Sequence, residues 1–289
     1  MRIGFIGAGK VGFTLGKYFS VNGLNVSGFY SHNVESAKEA SQFTNTRYYE
    51  TINELIDHSD TLFLTVPDRA ISEVWALLKE FSIENKIICH CSGMMSSTIF
   101  SGIDQMNAFG YSIHPMFAVN HKLTSYQDIS QAFFTIEGSK LYLKTFEELF
   151  ESLGNPVQII SKQQKTRYHA AAVFASNHVI ALFDIATALL VSCGFSENAA
   201  NKALEPLFYY NCKAIIENGP VDALTGPVLR GDLITLKSHC ENLENDEKKL
   251  YLLLSQHLLK IAKTKNNSYD YDEIEFFLKK VVENNETHS

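Results

Sequence analysis

Three glycines in the opening run Ile6-Gly7-Ala8-Gly9-Lys10-Val11-Gly12 stand at the spacing that lets a backbone cradle phosphate groups. Gly7 permits a tight turn. Gly9 lets the main chain approach a pyrophosphate with no Cβ between them, and Gly12 lets a helix pack close to a sheet. A short apolar strand precedes the run and a helical pattern follows it. The unpaired N–H groups of that helix start then face the phosphates, and the helix dipole favours their charge. This context predicts a dinucleotide site built from Gly7, Ala8, Gly9, Lys10, Val11 and Gly12. The next strand, Asn25–Tyr30, ends in Tyr30-Ser31-His32-Asn33, and Glu35 is the first acid after it. A carboxylate at that tip would hold the ribose of NAD and repel a 2′-phosphate. Ser31, His32 and Asn33 can instead donate hydrogen bonds, so NADP(H) is expected over NAD(H). As a plain polar loop, the same three residues would carry no such preference. Val66 and Pro67, in Thr65-Val66-Pro67-Asp68, close a strand at the edge where the nicotinamide half would run.

A second group of reactive side chains lies mid-chain, in Lys165-Thr-Arg-Tyr168-His169-Ala-Ala-Ala-Val-Phe-Ala-Ser176-Asn177. On one continuous helix, His169 falls about 40° and Ser176 about 20° from Lys165, and Asn177 about 80° from His169. The expectation is one polar face carrying a proton donor, Lys165 or His169, with Ser176 and Asn177 beside it. Small residues between them leave room for a ligand. Polar groups inside an apolar helix need partners, and satisfied core groups would look the same. Two strand ends add Ser92-Gly93 and His114 at the same sheet edge, as substrate-binding candidates. Arg230, in Gly226-Pro-Val-Leu-Arg-Gly-Asp232, offers a fork for a carboxylate.

The elements that must position these residues alternate in the first half. Strands are expected at Arg2–Ile6, Val26–Tyr30, Thr61–Val66, Lys86–Cys91, Gly110–His114, Ala132–Ile136 and Val157–Ile160. Helices are expected at Val11–Val21, Val34–Gln42, Ile52–His58, Asp68–Phe81 and Lys140–Leu153. That alternation is an α/β, doubly wound sheet over residues 1–160. Residues 161–289 read as an all-helical domain, with helices at Lys162–Val191, Ser196–Glu217, Leu229–Glu241, Asp246–Thr264 and Tyr271–Val282 and a frayed tail, Glu283–Ser289. The apolar stretch Ala170–Cys193 contains Ser176, Asn177, His178 and Asp184, which favours a buried helix over a membrane span. Long apolar faces in this half predict a homodimer.

The 289-residue chain carries a formal net charge of −7 and no basic block, which argues against nucleic acid as a partner. It enters a strand at once, so no leader is expected and a cytoplasmic location is. Five cysteines form no CxxC, and Cys89 and Cys91 alternate with His90 along a strand, so no metal site is expected.

The glycine run, His90-Cys-Ser-Gly93, His114-Pro115, Tyr168-His-Ala-Ala-Ala-Val-Phe-Ala-Ser-Asn177 and Gly226-Pro-Val-Leu-Arg-Gly-Asp232 together resemble one family. Its members are Rossmann-like oxidoreductases with a helical C-terminal domain of otherwise unknown function. They are similar to the 6-phosphogluconate dehydrogenase and pyrroline-5-carboxylate reductase superfamily, and some to an alternative class of ketopantoate reductase. The resemblance implies an NADPH-dependent reductase of a small 2-keto acid, foremost 2-dehydropantoate to pantoate. Lys165 or His169 would donate the proton, Asn177 hold the oxygen, and Arg230 or Ser92 the carboxylate. The sequence departs from the Lys-x-x-x-Asn of ketopantoate reductases, since His169 stands four residues after Lys165. Rival readings are a cyclic-imine reductase and a non-catalytic NADP(H)-binding sensor or scaffold.

Overall fold

The structure, a computed structural model, describes residues 1–286. They form two compact units, divided between Ser176 and Asn177. The first is built on eight strands: β1 (Arg2–Ile6), β2 (Asn25–Tyr30), β3 (Arg47–Tyr48), β4 (Thr61–Leu64), β5 (Ile87–His90), β6 (Phe109–Met116), β7 (Phe133–Gly138) and β8 (Val157–Ile159). They lie in the order β3-β2-β1-β4-β5-β6-β7-β8. Neighbours run parallel except β6 and β7, which are antiparallel and pair His114 with Thr135. The two-residue β3 has no counterpart among the strands expected from sequence, being too short for a periodic signal.

Alternation along the strands divides two cores. Ile3 and Phe5 of β1, Phe63 of β4, Cys89 of β5 and Tyr111 of β6 enter one. Ile6, Leu62, Leu64 and Ile88 enter the other. Helices α1 (Lys10–Val21), α2 (Val34–Thr44) and α5 (Leu143–Ser152) cover the first face with Phe13, Phe19, Ala37, Phe146 and Phe150. Helices α3 (Ile52–His58) and α4 (Asp68–Leu78) cover the second with Leu55, Ile56, Ile71, Trp75 and Leu78. Helices on both faces make the doubly wound sheet expected from sequence. Asn33 caps α2 by accepting from the Glu35 and Ser36 amides, and a Thr51–Glu54 capping box starts α3. A last helix, α6 (Lys165–Ala175), also belongs to this unit, which therefore runs past residue 160.

The second unit contains α7 (Asn177–Ser192), α8 (Glu197–Ala223), α9 (Pro227–Arg230), α10 (Leu233–Asn242), α11 (Asn245–Lys265) and α12 (Asp272–Glu286). Its core gathers Leu224, Val228, Leu236, Leu252, Leu259, Ile274 and Leu278. Three expectations are corrected here. The helix expected over Lys162–Val191 breaks at Ser176, whose φ of −129° and ψ of −80° are not helical. The helix expected over Leu229–Glu241 is split by Gly231 in the left-handed region. None of α7 is buried in this chain, contrary to the buried helix expected, because within its unit it packs chiefly on α8. By length and composition alone, the helical stretch Lys162–Ser192 is apolar enough to cross a membrane. Helix α12 is described to Glu286, and residues 287–289 of the expected tail Glu283–Ser289 lie outside the described residues.

Candidate functional site

The glycine run does what its spacing requires. Gly7 sits at φ +104° with Thr65 O 2.8 Å from where a Cβ would stand, so no other residue fits that turn. A Cβ on Gly12 would lie 2.5 Å from Gly7 O, which fixes how closely α1 crosses the loop. A Cβ on Gly9 would meet nothing nearer than Thr65 O at 3.9 Å, so this glycine faces open space. That space is a cavity of about 580 Å³ lined by Gly7, Ala8, Gly9, Tyr30, Ser31, His32, Asn33, Ser36, Val66, Pro67 and Glu73, among others. The tip of β2 and the glycine loop thus share one wall. A second cavity of about 380 Å³ continues past Gly9, Thr65, Val66 and Pro67 to Lys10, Val11, Asp68, Cys91 and Val119.

Beyond that cavity the ends of β5 and β6 meet α6 in a polar corner. Lys165 is 1% exposed, and its Nζ donates to the Ser92 carbonyl at 2.9 Å. Burial pushes its pKa down to about 8, against the pull of Glu137, Cys91 and Asp68. Ser92 is engaged on every side. Its Oγ donates to Asp68 at 2.7 Å and accepts from the Met94 and Met95 amides, while its own amide donates to His90 Nδ1 at 3.2 Å. Gly93 is pressed between two imidazoles. A Cβ there would stand 2.6 Å from His169 Cδ2 and 3.0 Å from His114 Nε2. His114 Nδ1 and Tyr168 Oη form a hydrogen bond of 2.7 Å. Burial, with the charges of Lys165, His169 and His90 adding to it, pushes the His114 pKa down to about 3. The same desolvation takes fully buried His90 down to about 4 and Cys91 up to about 12.

Comparison with known proteins fits this geometry. Residues 1–115 match the Rossmann-like domain family, and residues 132–258 match the domain of unknown function DUF2520. The chain is thus similar to a Rossmann-like domain in its first part and to the DUF2520 domain in its second. No curated protein matches the sequence. Among solved structures, protein TM1727 from Thermotoga maritima is 24% identical over 91% of this chain and 99% of its own, with a TM-score of 0.75. A reductive aminase from Aspergillus terreus, in complex with NADPH and ethyl-5-oxohexanoate, is 15% identical over 100% of this chain and 94% of its own, with a TM-score of 0.60. Plasmodium falciparum pyrroline carboxylate reductase, with NADP bound, is 13% identical over 92% and 98%, with a TM-score of 0.58. At these identities the likeness is one of fold.

The polar corner draws on both family segments. Ser92, Gly93 and His114 come from the Rossmann-like part, and Lys165, Tyr168 and His169 from the DUF2520 part. The structure thus brings together Ser92, Gly93, His114, Lys165 and His169, all singled out in the sequence. Ser31, His32, Asn33, Val66 and Pro67 line the glycine-loop cavity, with the Asn33 Oδ1 spent on capping α2. The Ser92 hydroxyl donates to Asp68 and accepts from two amides, so its hydrogen-bonding capacity is taken up within the chain. Ser176 is exposed and bonds back to the Ala172 carbonyl. With the helix broken there, the expected single face of Lys165, His169, Ser176 and Asn177 does not form. Asn177 and exposed Arg230 belong to the second unit. Sequence reasoning passed over Asp68 and Tyr168 as site residues. Both stand in motifs it quoted, but only the fold shows their partners.

Proposed function

We propose that the protein is an NADPH-dependent reductase of a small substrate carrying a C=O or C=N bond. The observation that carries this reading is the continuous wall from the tip of β2, past Gly9 and Pro67, to Asp68, which is hydrogen-bonded to the polar corner. Gly9 leaves the space a pyrophosphate needs, and the first turn of α1 supplies its N–H donors. Ser31, His32, the Asn33 amide and Ser36 offer donors for a 2′-phosphate. The fold likeness to reductases holding NADP or NADPH supports the same cofactor. That cofactor, when bound, supplies the hydride.

The chain's own residues supply the rest. Lys165 fixes the Ser92-Gly93 turn through Nζ and places a positive charge beneath it. His169, half-buried against Gly93, is the proton donor for the reduced heteroatom. The first substrate proposed is a 2-keto acid, 2-dehydropantoate, as the family resemblance implies. A cyclic imine is the second, favoured by the likeness to pyrroline carboxylate reductase. We also propose a homodimer, because α7 and α8 leave Ile180, Leu207, Tyr210, Ile215 and Ile216 exposed, more apolar surface than a chain ordinarily leaves uncovered. Five unpaired cysteines support a cytoplasmic setting. NADPH oxidation by the purified protein, followed with 2-dehydropantoate and with pyrroline-5-carboxylate, tests the reading. Turnover of either names the substrate class. Tight NADPH binding with no turnover of a broad carbonyl and imine panel would leave the sensor or scaffold reading instead.

A further inference from the structure

The antiparallel pairing of β6 and β7 sets His114 directly opposite Thr135. Tyr168, arriving on the first turn of α6, joins them. Burial raises the Tyr168 pKa, so the phenol keeps its proton. Among the described residues His114 Nδ1, at 2.7 Å, is the one hydrogen-bond partner of the Tyr168 hydroxyl, so the phenol proton has that nitrogen as its acceptor. An imidazole that accepts at Nδ1 carries its proton on Nε2 when neutral. Nε2 is the His114 atom that faces Gly93, where a Cβ would stand only 3.0 Å away. It makes no hydrogen bond within the described residues.

Resting on the reductase reading above, we propose that His114 is a neutral hydrogen-bond donor to the reacting oxygen or nitrogen. Tyr168 acts as a positioning residue that locks its Nε2–H tautomer over Gly93. No proton leaves His114 in this role. As hydride reaches carbon, negative charge grows on the heteroatom, the Nε2–H bond to it strengthens, and His169 delivers the proton. A neutral imidazole suits the task because it remains a donor throughout, with no need to be recharged between turnovers. The same arrangement explains why position 93 holds glycine. Any side chain would displace the donor or fill the space above it.

Nuclear magnetic resonance of protein labelled with ¹⁵N-histidine tests this without turnover, with the His114 signals assigned by their loss in His114→Gln. At pH 7 the wild-type ring is expected to be neutral with its proton on Nε2. In Tyr168→Phe, which keeps the ring and loses the hydroxyl, the Nδ1–H form should appear. A wild-type ring protonated at Nδ1, a doubly protonated ring, or an unchanged tautomer in Tyr168→Phe would overturn the proposal. Kinetics sharpen it. His114→Ala should lose on the order of 10²-fold in kcat. His114→Gln, whose amide reaches roughly the Nε2 position, should recover most of that loss. Tyr168→Phe should lose about tenfold with NADPH affinity unchanged. Equal losses in the Gln and Ala variants would also overturn it. The two readings fail separately. An inactive wild type with the Nε2–H ring removes the reductase reading, whereas an active enzyme with the Nδ1–H ring removes only this one.

Discussion

Helices α6 and α7 follow one another with a single residue between them, yet they obey opposite rules. Helix α6 puts a lysine inside: Lys165 is 1% exposed. Helix α7 is nearly all apolar and leaves Ile180 69% exposed. A charge is buried only where partners repay its desolvation, and α6 offers the Ser92 carbonyl with the fields of Glu137 and Asp68. Apolar surface stays bare in one chain where another surface is to cover it. The first inversion underlies the proposed reaction, and the second the proposed dimer. Helix propensity distinguishes neither, because both segments are good helix formers. The break at Ser176 lets the chain turn from one duty to the other.

The largest effect should come from α6. His169→Ala is expected to lower kcat by about 10²–10⁴-fold while leaving NADPH affinity within twofold, because the imidazole abuts Gly93 and not the glycine loop. Steady-state rates and a fluorescence titration check both halves. A comparable loss of NADPH affinity would move His169 out of the substrate pocket. Next comes α7 with its neighbour. Ile180→Asp and Ile216→Asp put charges on residues exposed in the single chain, so folding should survive, as judged by circular dichroism. Dimer dissociation should rise by about 10²-fold or more, because each charge is desolvated on association. Sedimentation velocity measures it, and a wild type that is monomeric at micromolar concentration removes the assembly reading. A smaller effect is expected away from both helices. Ser31→Asp should weaken NADPH about tenfold and NADH hardly at all, through repulsion of the 2′-phosphate. Equal effects on both would show that Ser31 lies elsewhere on the cofactor.

The doubly wound sheet was legible because strands such as Ile3-Gly-Phe-Ile6 and Leu62-Phe-Leu64 are continuous apolar runs between turn residues, and helical patterns separate them. The glycine run was legible because each glycine answers a steric need that spacing alone expresses. The polar corner was half legible. Ser92, His114, Lys165 and His169 could be named as reactive types at strand ends or on one helix. Their partners could not, since Asp68, Thr135 and Tyr168 reach them only through strand order and the β6–β7 register. The helical wheel failed beyond Ala175 because a one-residue break resets the phase, and Ser176 carries no glycine or proline to announce it. The commitment of the Ser92 hydroxyl was equally hidden, because the turn that folds Met94 and Met95 back onto it has no fixed signature.

The smallest effect is on stability, and it tests the buried charge directly. Lys165 titrates at about 8 in the folded protein and near 10.5 when unfolded. Between those values the unfolded chain binds more protons, so stability should rise with pH from about 8 to about 10.5. Below pH 8 the charged, buried form is present and the desolvation cost is felt in full. The histidines act at the other end. His114 and His90 titrate at about 3 and about 4 when folded, against 6.5 unfolded, so stability should fall as pH drops from 6.5 toward 4. Each slope can be removed separately. Lys165→Met should flatten the alkaline rise in Tm by several degrees and only ease the acid limb, because burial is the first cause of the low His114 and His90 values and the Lys165 charge a lesser one. His90→Asn, whose side-chain oxygen can still accept from the Ser92 amide, should blunt the acid limb and leave the alkaline rise. Differential scanning calorimetry from pH 4 to 10.5 on the three proteins reads both limbs. If Lys165→Met keeps the wild-type alkaline slope, the lysine is not desolvated in solution, and the contrast between a buried lysine on α6 and bare isoleucines on α7 loses its first half.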